Sequence, residues 1–468
     1  MAFLVDANIK RRLTLGAASN LIGKFSGSLI QLVQVPIFLH FWSVPLFGEW
    51  MIVSAIPTYL SFSNMGFGSV AYNEMTMAIG AGDQERALRV FQSCWWLIVS
   101  ICIGVGATLG LILYLLPIDA LEHFHAISVP EAKLVLLFLG FSVLLGQLEQ
   151  LLGSAYTCVG RYPYGAFLKN MLSLAAFVAT MIPVCLHYGV RETAATAALA
   201  NAFGTLYLCI SVRLDVPWIE YGWKYARFAE IRRLTAPAIA FMAFPLGNAM
   251  NLQGSILTVG YALGSSAVVV FGTARTVSRV ALQVMQMVNL TVWPELSSAY
   301  GARNWHLVRT LHRSSCQLAL ILAILMVTTM VTVGPWFLNL WTDGHVAPNR
   351  PLLALLLLVV VLNTLWSTSS TVAMATNKHH TLAFYYVLAT GFTLAFTYIF
   401  ARYFGLYGAA ASLLIAEVIM NSYVLPNSLR ISHDSFSDFL PSLLHLPGSM
   451  QFRGLLRLLN GLRPSRTR

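Results

Sequence analysis

Runs of about 20 apolar residues, each long enough to cross a hydrocarbon core of about 30 Å, recur along the chain with short polar breaks between them. The pattern predicts helices over residues 13–41, 48–71, 91–116, 134–158, 164–187 and 193–213. A basic stretch intervenes. Six more are predicted over 236–262, 266–293, 314–341, 352–375, 382–404 and 406–425. The expected fold is therefore an all-α polytopic membrane protein of about twelve transmembrane helices.

The breaks between runs differ in charge. Alternate breaks hold Lys10, Arg11 and Arg12; Arg86 and Arg89; Arg161; Arg213, Lys224, Arg227, Arg232 and Arg233; Arg303, Arg309 and Arg313; and Lys378. The intervening ones hold only Lys133, Arg191, Arg350 and Arg402. By the positive-inside bias the first set is cytoplasmic, which places both termini of this inner-membrane-type protein in the cytoplasm. No small-residue cleavage site follows the first apolar run at the usual distance, so that run reads as a spanning helix.

Composition agrees. The chain is 57% hydrophobic and 10% charged, against roughly 25% charged residues in soluble domains. The net charge of +11 follows from the loop bias and does not call for a nucleic-acid partner. The six cysteines form no CxxC pair and have no histidine at ligand spacing, so neither a metal site nor a disulfide framework is expected. No outer loop has room for a catalytic domain, and no Ser/His/Asp, Cys/His or phosphate-loop constellation is present, so the chain does not read as an enzyme. The string Gly66-Phe67-Gly68-Ser69-Val70-Ala71 matches a dinucleotide fingerprint by letter but follows no strand.

The chain also repeats. Glu74, Ala78, Gly80 and Ala81 after the second predicted helix recur as Glu295, Ala299, Gly301 and Ala302 after the eighth. Six helices separate the copies, an even number, so the halves have parallel topology about an axis along the membrane normal. The expected organisation is two pseudo-symmetric six-helix lobes, 1–213 and 236–425. A basic cytoplasmic linker, 214–235, joins them, and a cytoplasmic tail, 426–468, carries an amphipathic helical pattern near 452–459.

Ionisable residues inside membrane helices are candidates for function, because lipid exposure of a charge is costly. Lys24 lies about 18 Å deeper along a helix than Arg12. Arg275 and Arg279 lie one turn apart in the eighth helix. Asn20, Gln31 and Gln34 extend the polar face around Lys24, and Gln283, Gln286 and Asn289 extend that of the two arginines. Asn248, Asn251 and Ser255 give the seventh helix a polar side, and Ser54, Thr58 and Ser61 give a weaker one to the second. Two readings stand: a cationic cavity, or interhelical hydrogen bonds that hold the bundle together. Glu149 and Glu417 are acids within spans and candidate sites for coupling to a proton or sodium gradient. Glu149 is favoured because Gly146, Gln147, Gln150 and Ser154 surround it in sequence, whereas Glu417 has apolar neighbours as far as Asn421. Pro36, Pro57, Pro237 and Pro245 are candidate hinges.

The segments Phe47-Gly48-Glu49-Trp50, Asn64-Met65-Gly66-Phe67-Gly68 and Gly80-Ala81-Gly82-Asp83, with the echo at Gly301-Ala302, give the chain its family likeness. It resembles the bacterial polysaccharide transporters, the Wzx-type flippases of the multidrug/oligosaccharidyl-lipid/polysaccharide exporter superfamily. The resemblance implies alternating access. The implied substrate is a polyprenyl-diphosphate-linked oligosaccharide (an O-antigen, capsule or exopolysaccharide unit), moved from the cytoplasmic to the periplasmic leaflet. Lys24, Arg275 and Arg279 match its cationic cavity residues by helix and depth. Membrane lipids, a polysaccharide polymerase and a chain-length regulator are the implied partners, and no cofactor beyond a coupling H+ or Na+ is implied. The first helix has no acidic residue of the kind found in many multidrug members. A multidrug exporter and a membrane-embedded polysaccharide-assembly enzyme are the rival readings.

Overall fold

The computed structural model describes residue 23 and residues 26–115, 124–376 and 380–444. Helices follow one another through the described residues, with no strand among them. They are α1 (Ser26–Phe41), α2 (Val44–Thr58), α3 (Phe67–Gly80), α4 (Gln84–Leu115), α5 (Val129–Cys158), α6 (Tyr162–Cys185) and α7 (Val190–Asp215). Then come α8 (Phe228–Ala249), α9 (Ser255–Leu263), α10 (Ser265–Gly301), α11 (Trp305–Trp341), α12 (Arg350–Ala375), α13 (His380–Ser432) and α14 (Phe436–Leu444). Each of the twelve predicted spans has helix in it. The all-α polytopic membrane fold is as expected.

Starts are written locally. The Ser128 N–H donates to Glu131 Oε2 at 3.2 Å, closing half of a capping box on α5. Asn349 Oδ1 caps α12 by accepting from the Leu352 amide at 3.0 Å, and Pro351 sits in the first turn, where its missing N–H costs nothing. Gly405, at φ 59° and ψ −142°, breaks α13 at the boundary predicted between residues 404 and 406.

Three features depart from the predicted helices. The second span, expected as one helix over 48–71, is broken: α2 ends after Pro57, a 3-10 turn covers Tyr59–Phe62, and α3 starts anew at Phe67. Hydroxyls loosen this stretch by taking backbone carbonyls, Ser61 from Thr58 at 2.7 Å and Ser63 from Leu60 at 2.8 Å. Gln147 of α5 then holds the break, its Nε2 donating to Leu60 O and Ser63 Oγ, both at 2.8 Å. The seventh span is interrupted by a π-helical turn, Met250–Gly254, between α8 and α9. The last span runs seven residues past 425, to Ser432, because Ser428, Leu429 and Ile431 are buried there. The amphipathic pattern near 452–459 lies outside the described residues.

Among the described residues, seven helices are individually long and apolar enough to cross a membrane: α4, α5, α6, α7, α11, α12 and α13. Those that are not include α1, α2, α8, α9 and α10. These are the helices of the first, second, seventh and eighth spans, on which the polar faces lie. Charge and amides dilute the hydropathy of α10; breaks shorten the seventh and second spans; α1 is described only from Ser26.

The chain packs as two compact units. One holds the described residues up to Thr276 with Phe337–Pro348 and Leu394–Ala409; the other holds Val277–Trp336, Asn349–Thr393 and everything from Ala410. In the first, Phe38, Trp42, Phe47 and Trp50 form an aromatic cluster, Phe38 and Trp42 having ring centroids 4.6 Å apart. Residues 220–227 are pinned here. Gln92 Nε2 of α4 donates to Glu220 O at 2.9 Å, and Gln92 Oε1 and Ser93 Oγ accept from the amides of Tyr225 and Arg227 at 2.7 and 2.9 Å. In the second unit α14 lies on α11, with Phe439 stacked on His312 at 5.0 Å and Arg313 paired with Asp434.

Candidate functional site

Arg275 of α10 is 8% exposed, and the π turn surrounds its guanidinium. Nη2 donates to Asn251 O at 2.9 Å and to Asn251 Oδ1, and Nη1 to Leu252 O at 3.3 Å and to Ser255 Oγ. The Phe271 ring lies one turn below, 5.7 Å from Cζ. Ser255 Oγ itself bonds Asn251 O at 2.6 Å. The structure thus brings together three residues of the predicted polar faces, Arg275, Asn251 and Ser255. A buried charge needs hydrogen bonds to persist, and the π turn supplies carbonyls in a helical segment where they would otherwise be spent within the helix.

Arg279 differs. It is part-buried, lies in the second unit, and makes no hydrogen bond or ion pair among the described residues. Gln283 and Asn289 are part-buried further along the same helix, and Gln286 is exposed. Asn289 Oδ1 is buried without a hydrogen-bond partner among the described residues. Asn248 and Gln31 are exposed and Gln34 is part-buried. Lys24 and Asn20 lie outside the described residues.

The two candidate coupling acids sit in different surroundings. Glu149, part-buried in the first unit, accepts from Thr205 Oγ1 at 3.0 Å. Glu417, in the second, is 4% exposed. Its carboxylate accepts from Trp366 Nε1 at 2.6 Å and from Asn363 Nδ2 at 3.2 and 3.3 Å. Asn421, one turn along α13, leaves its Oδ1 buried and without a hydrogen bond among the described residues.

Other charged groups of consequence are absent from the sequence-derived set. Buried Glu49 accepts from the consecutive amides of His125, Ala126 and Ile127 at 2.7–3.0 Å. It stands in the Phe47-Gly48-Glu49-Trp50 segment, so its place was marked though its role was not. Glu74 accepts from Arg86 at 3.2 Å and from Arg233 at 2.8 Å, and Arg233 Nε also reaches Glu230 at 3.0 Å. This ties α3 to the start of α8. The repeated glutamate marks Glu74, but nothing local marks Arg233 as its partner. No group of three His, Cys, Asp or Glu residues with metal-holding geometry occurs among the described residues.

No protein-family model matches the chain, and no curated protein matches it by sequence. Solved structures do share its fold. The inward-facing conformation of a multidrug resistance MATE family transporter of the MOP superfamily is similar over 90% of this chain and 94% of that one, with TM-score 0.65 and 17% identity. The lipid II flippase MurJ, in an inward closed conformation, is similar over 95% of this chain and 96% of that one, with TM-score 0.66 and 15% identity. A MATE structure in complex with MaD5 is similar over 91% and 95%, with TM-score 0.60 and 15% identity. The chain therefore has the fold of these membrane proteins.

Proposed function

We propose that this chain is a flippase of the superfamily to which these transporters belong. Its substrate in this reading is a polyprenyl-diphosphate-linked oligosaccharide, which it carries from the cytoplasmic to the periplasmic leaflet of a bacterial inner membrane by alternating access between two pseudo-symmetric lobes, 1–213 and 236–425. It is a transporter, not an enzyme. Its termini are cytoplasmic, and a polysaccharide polymerase and a chain-length regulator are its partners. The observation that carries the reading is the cationic face of α10, where Arg275 and Arg279 precede Gln283, Gln286 and Asn289 along one side of a membrane helix. A diphosphate cannot enter hydrocarbon unaided, and arginine replaces its hydration with charged, bidentate hydrogen bonds. Lys24 adds a third cation, and amides along the same faces suit sugar hydroxyls.

Glycan export by a strain lacking its chromosomal copy tests this. Arg275→Gln and Arg279→Gln each abolish most export at normal membrane abundance, and the lysine variants keep part of it. Normal export by both glutamine variants overturns the reading.

The second reading, an ion-coupled multidrug exporter, is favoured by the MATE structures among those sharing the fold. Against it stands residues 13–41, which contain no acid. Drug susceptibility in a pump-deficient host separates the two. If transport is gradient-driven, Glu149 and Glu417 are the coupling acids to test, with H+ or Na+ as the ion. Burial favours Glu417, whereas local sequence favours Glu149.

A further inference from the structure

Arg275 is poorly placed, as it stands, to receive a ligand. Its two terminal nitrogens are engaged by Asn251 and Leu252 carbonyls and by the Asn251 and Ser255 side chains. We propose that Asn251 and Ser255 are positioning residues that compete with the substrate's anionic head group for Arg275, and that the π turn is the two-state element through which the guanidinium is released. The inference rests on the substrate reading above and adds a control step to it.

The chemistry of the shell carries the argument. The acceptors named here (two carbonyls, an amide oxygen and a hydroxyl) are neutral, and they occupy the two terminal nitrogens that a phosphate can bond with two oxygens. An anionic acceptor forms stronger hydrogen bonds with guanidinium than neutral ones do. Exchange of one shell for the other is therefore favourable and does not require stripping the cation bare. The geometry of the turn makes the exchange reversible. A π turn carries one residue more than α-helical hydrogen bonding accommodates, and Met250–Gly254 places this turn where α8 meets α9. Once Arg275 leaves, the carbonyls of Asn251 and Leu252 can return to helical bonding with amides four residues on. Ser255 Oγ lies within reach of both carbonyls, at 2.6 and 3.1 Å, so its one proton can serve either of them. A site masked in a fraction of molecules binds with an affinity lowered by that fraction. Weakening the mask must then tighten binding.

The test uses full-length protein in phosphatidylcholine nanodiscs, with farnesyl diphosphate as the anionic probe and farnesol as the uncharged control. Asn251→Ala and Ser255→Ala bind the diphosphate about three- to tenfold more tightly than the parent, as unmasking requires. Farnesol binding is unchanged, and glycan turnover falls because release is slower. Ser255→Thr keeps the hydroxyl and the parent affinity. Asn251→Asp places a carboxylate on Arg275 and weakens diphosphate binding, the opposite sign, which also decides the matter if the alanine variants do not accumulate. Unchanged or weaker diphosphate binding in the alanine variants, or parental binding in Asn251→Asp, overturns the inference. When Arg275→Gln still loses binding, the substrate reading survives that failure. Parental binding by Arg275→Gln removes the substrate reading itself.

Discussion

The indole Nε1 of Trp366 donates to the Glu417 carboxylate at 2.6 Å, joining α12 to the second half of α13. Asn363 lies one turn before Trp366 on the same face and donates to both oxygens. Removing one donor from a buried carboxylate leaves acceptor capacity unmet, at about 1.5–3 kcal/mol for a hydrogen bond to a charged group. Trp366→Phe is therefore expected to lower the thermal midpoint of the detergent-solubilised protein clearly. Glu417→Gln keeps an acceptor oxygen for the indole and is expected to melt closer to the parent.

Glu417→Gln serves a second purpose. If Glu417 couples transport to a gradient, the amide removes the exchangeable proton or the anionic ligand while holding the shape. Glycan flipping in proteoliposomes should then lose its response to an imposed pH or sodium gradient, and Glu149→Gln should keep it. The reverse pattern returns the role to Glu149.

Arg275 and Arg279 lie one turn apart yet should respond differently to substitution. The Arg275 guanidinium completes the π turn, so Arg275→Gln is expected to lose both export and thermal stability. Arg279 makes no hydrogen bond or ion pair among the described residues, so Arg279→Gln is expected to lose export with the melting temperature near the parent's. Parallel measurement of export, membrane abundance and thermal melting separates a transport role from a structural one.

Much of the fold was legible because helix spacing is local information. The apolar runs marked the spans, the 404/406 boundary fell at Gly405, and the positions from Arg275 to Asn289 do lie on one continuous helix. The misses are long-range. The break at residues 59–66 depends on Gln147, more than eighty positions away. Glu417 looks isolated in sequence because its donors are 51 and 54 residues distant. Residues 214–235 read only as a basic linker, yet Gln92 and Ser93 fasten residues 220–227 from over 120 residues upstream. The π turn has no sequence signal beyond Gly254. Arg275, Asn251 and Ser255 were each legible as polar positions, but their hydrogen bonds to one another across 20 and 24 residues were not.

Asp434, between α13 and α14, gives a pH expectation. Burial pushes its carboxyl up, but the hydrogen bond and charge of Arg313 outweigh this and hold it below the usual 3.8. A carboxylate depressed in the folded state contributes stability that is present above its unfolded pKa and is lost as pH falls through the folded value. The contribution of the Asp434–Arg313 pair to α14 docking should thus hold from neutrality down to about 4 and be lost only below that. Hydrogen exchange of residues 436–444 reads this directly. Arg313→Gln should raise their exchange at neutral pH; unchanged exchange there would show that Phe439 packing on His312 suffices.

Gly66 and Gly82 allow a matched test of the broken second span. Both adopt left-handed backbone, at φ +81° and +77°, so alanine at either carries the same conformational cost, roughly 1–2 kcal/mol. Their surroundings differ. A Cβ on Gly66 would lie 2.3 Å from the Ala238 carbonyl oxygen of α8, whereas one on Gly82 would meet nothing within 4 Å. The contact at Gly66 is with backbone, which cannot swing aside as a flexible side chain can. Gly66→Ala must push α3 from α8, or straighten the turn that Asn64 Oδ1 closes on the Gly66 amide at 3.0 Å. Either response strains the neighbouring tie between Glu74 and Arg233. Gly82→Ala is therefore expected to lower the thermal midpoint by a few degrees, and Gly66→Ala to lower it much further and to reduce membrane abundance. Equal effects at the two positions would mean that the close approach to α8 is not maintained in the membrane, leaving α3 free to move on the 59–66 break.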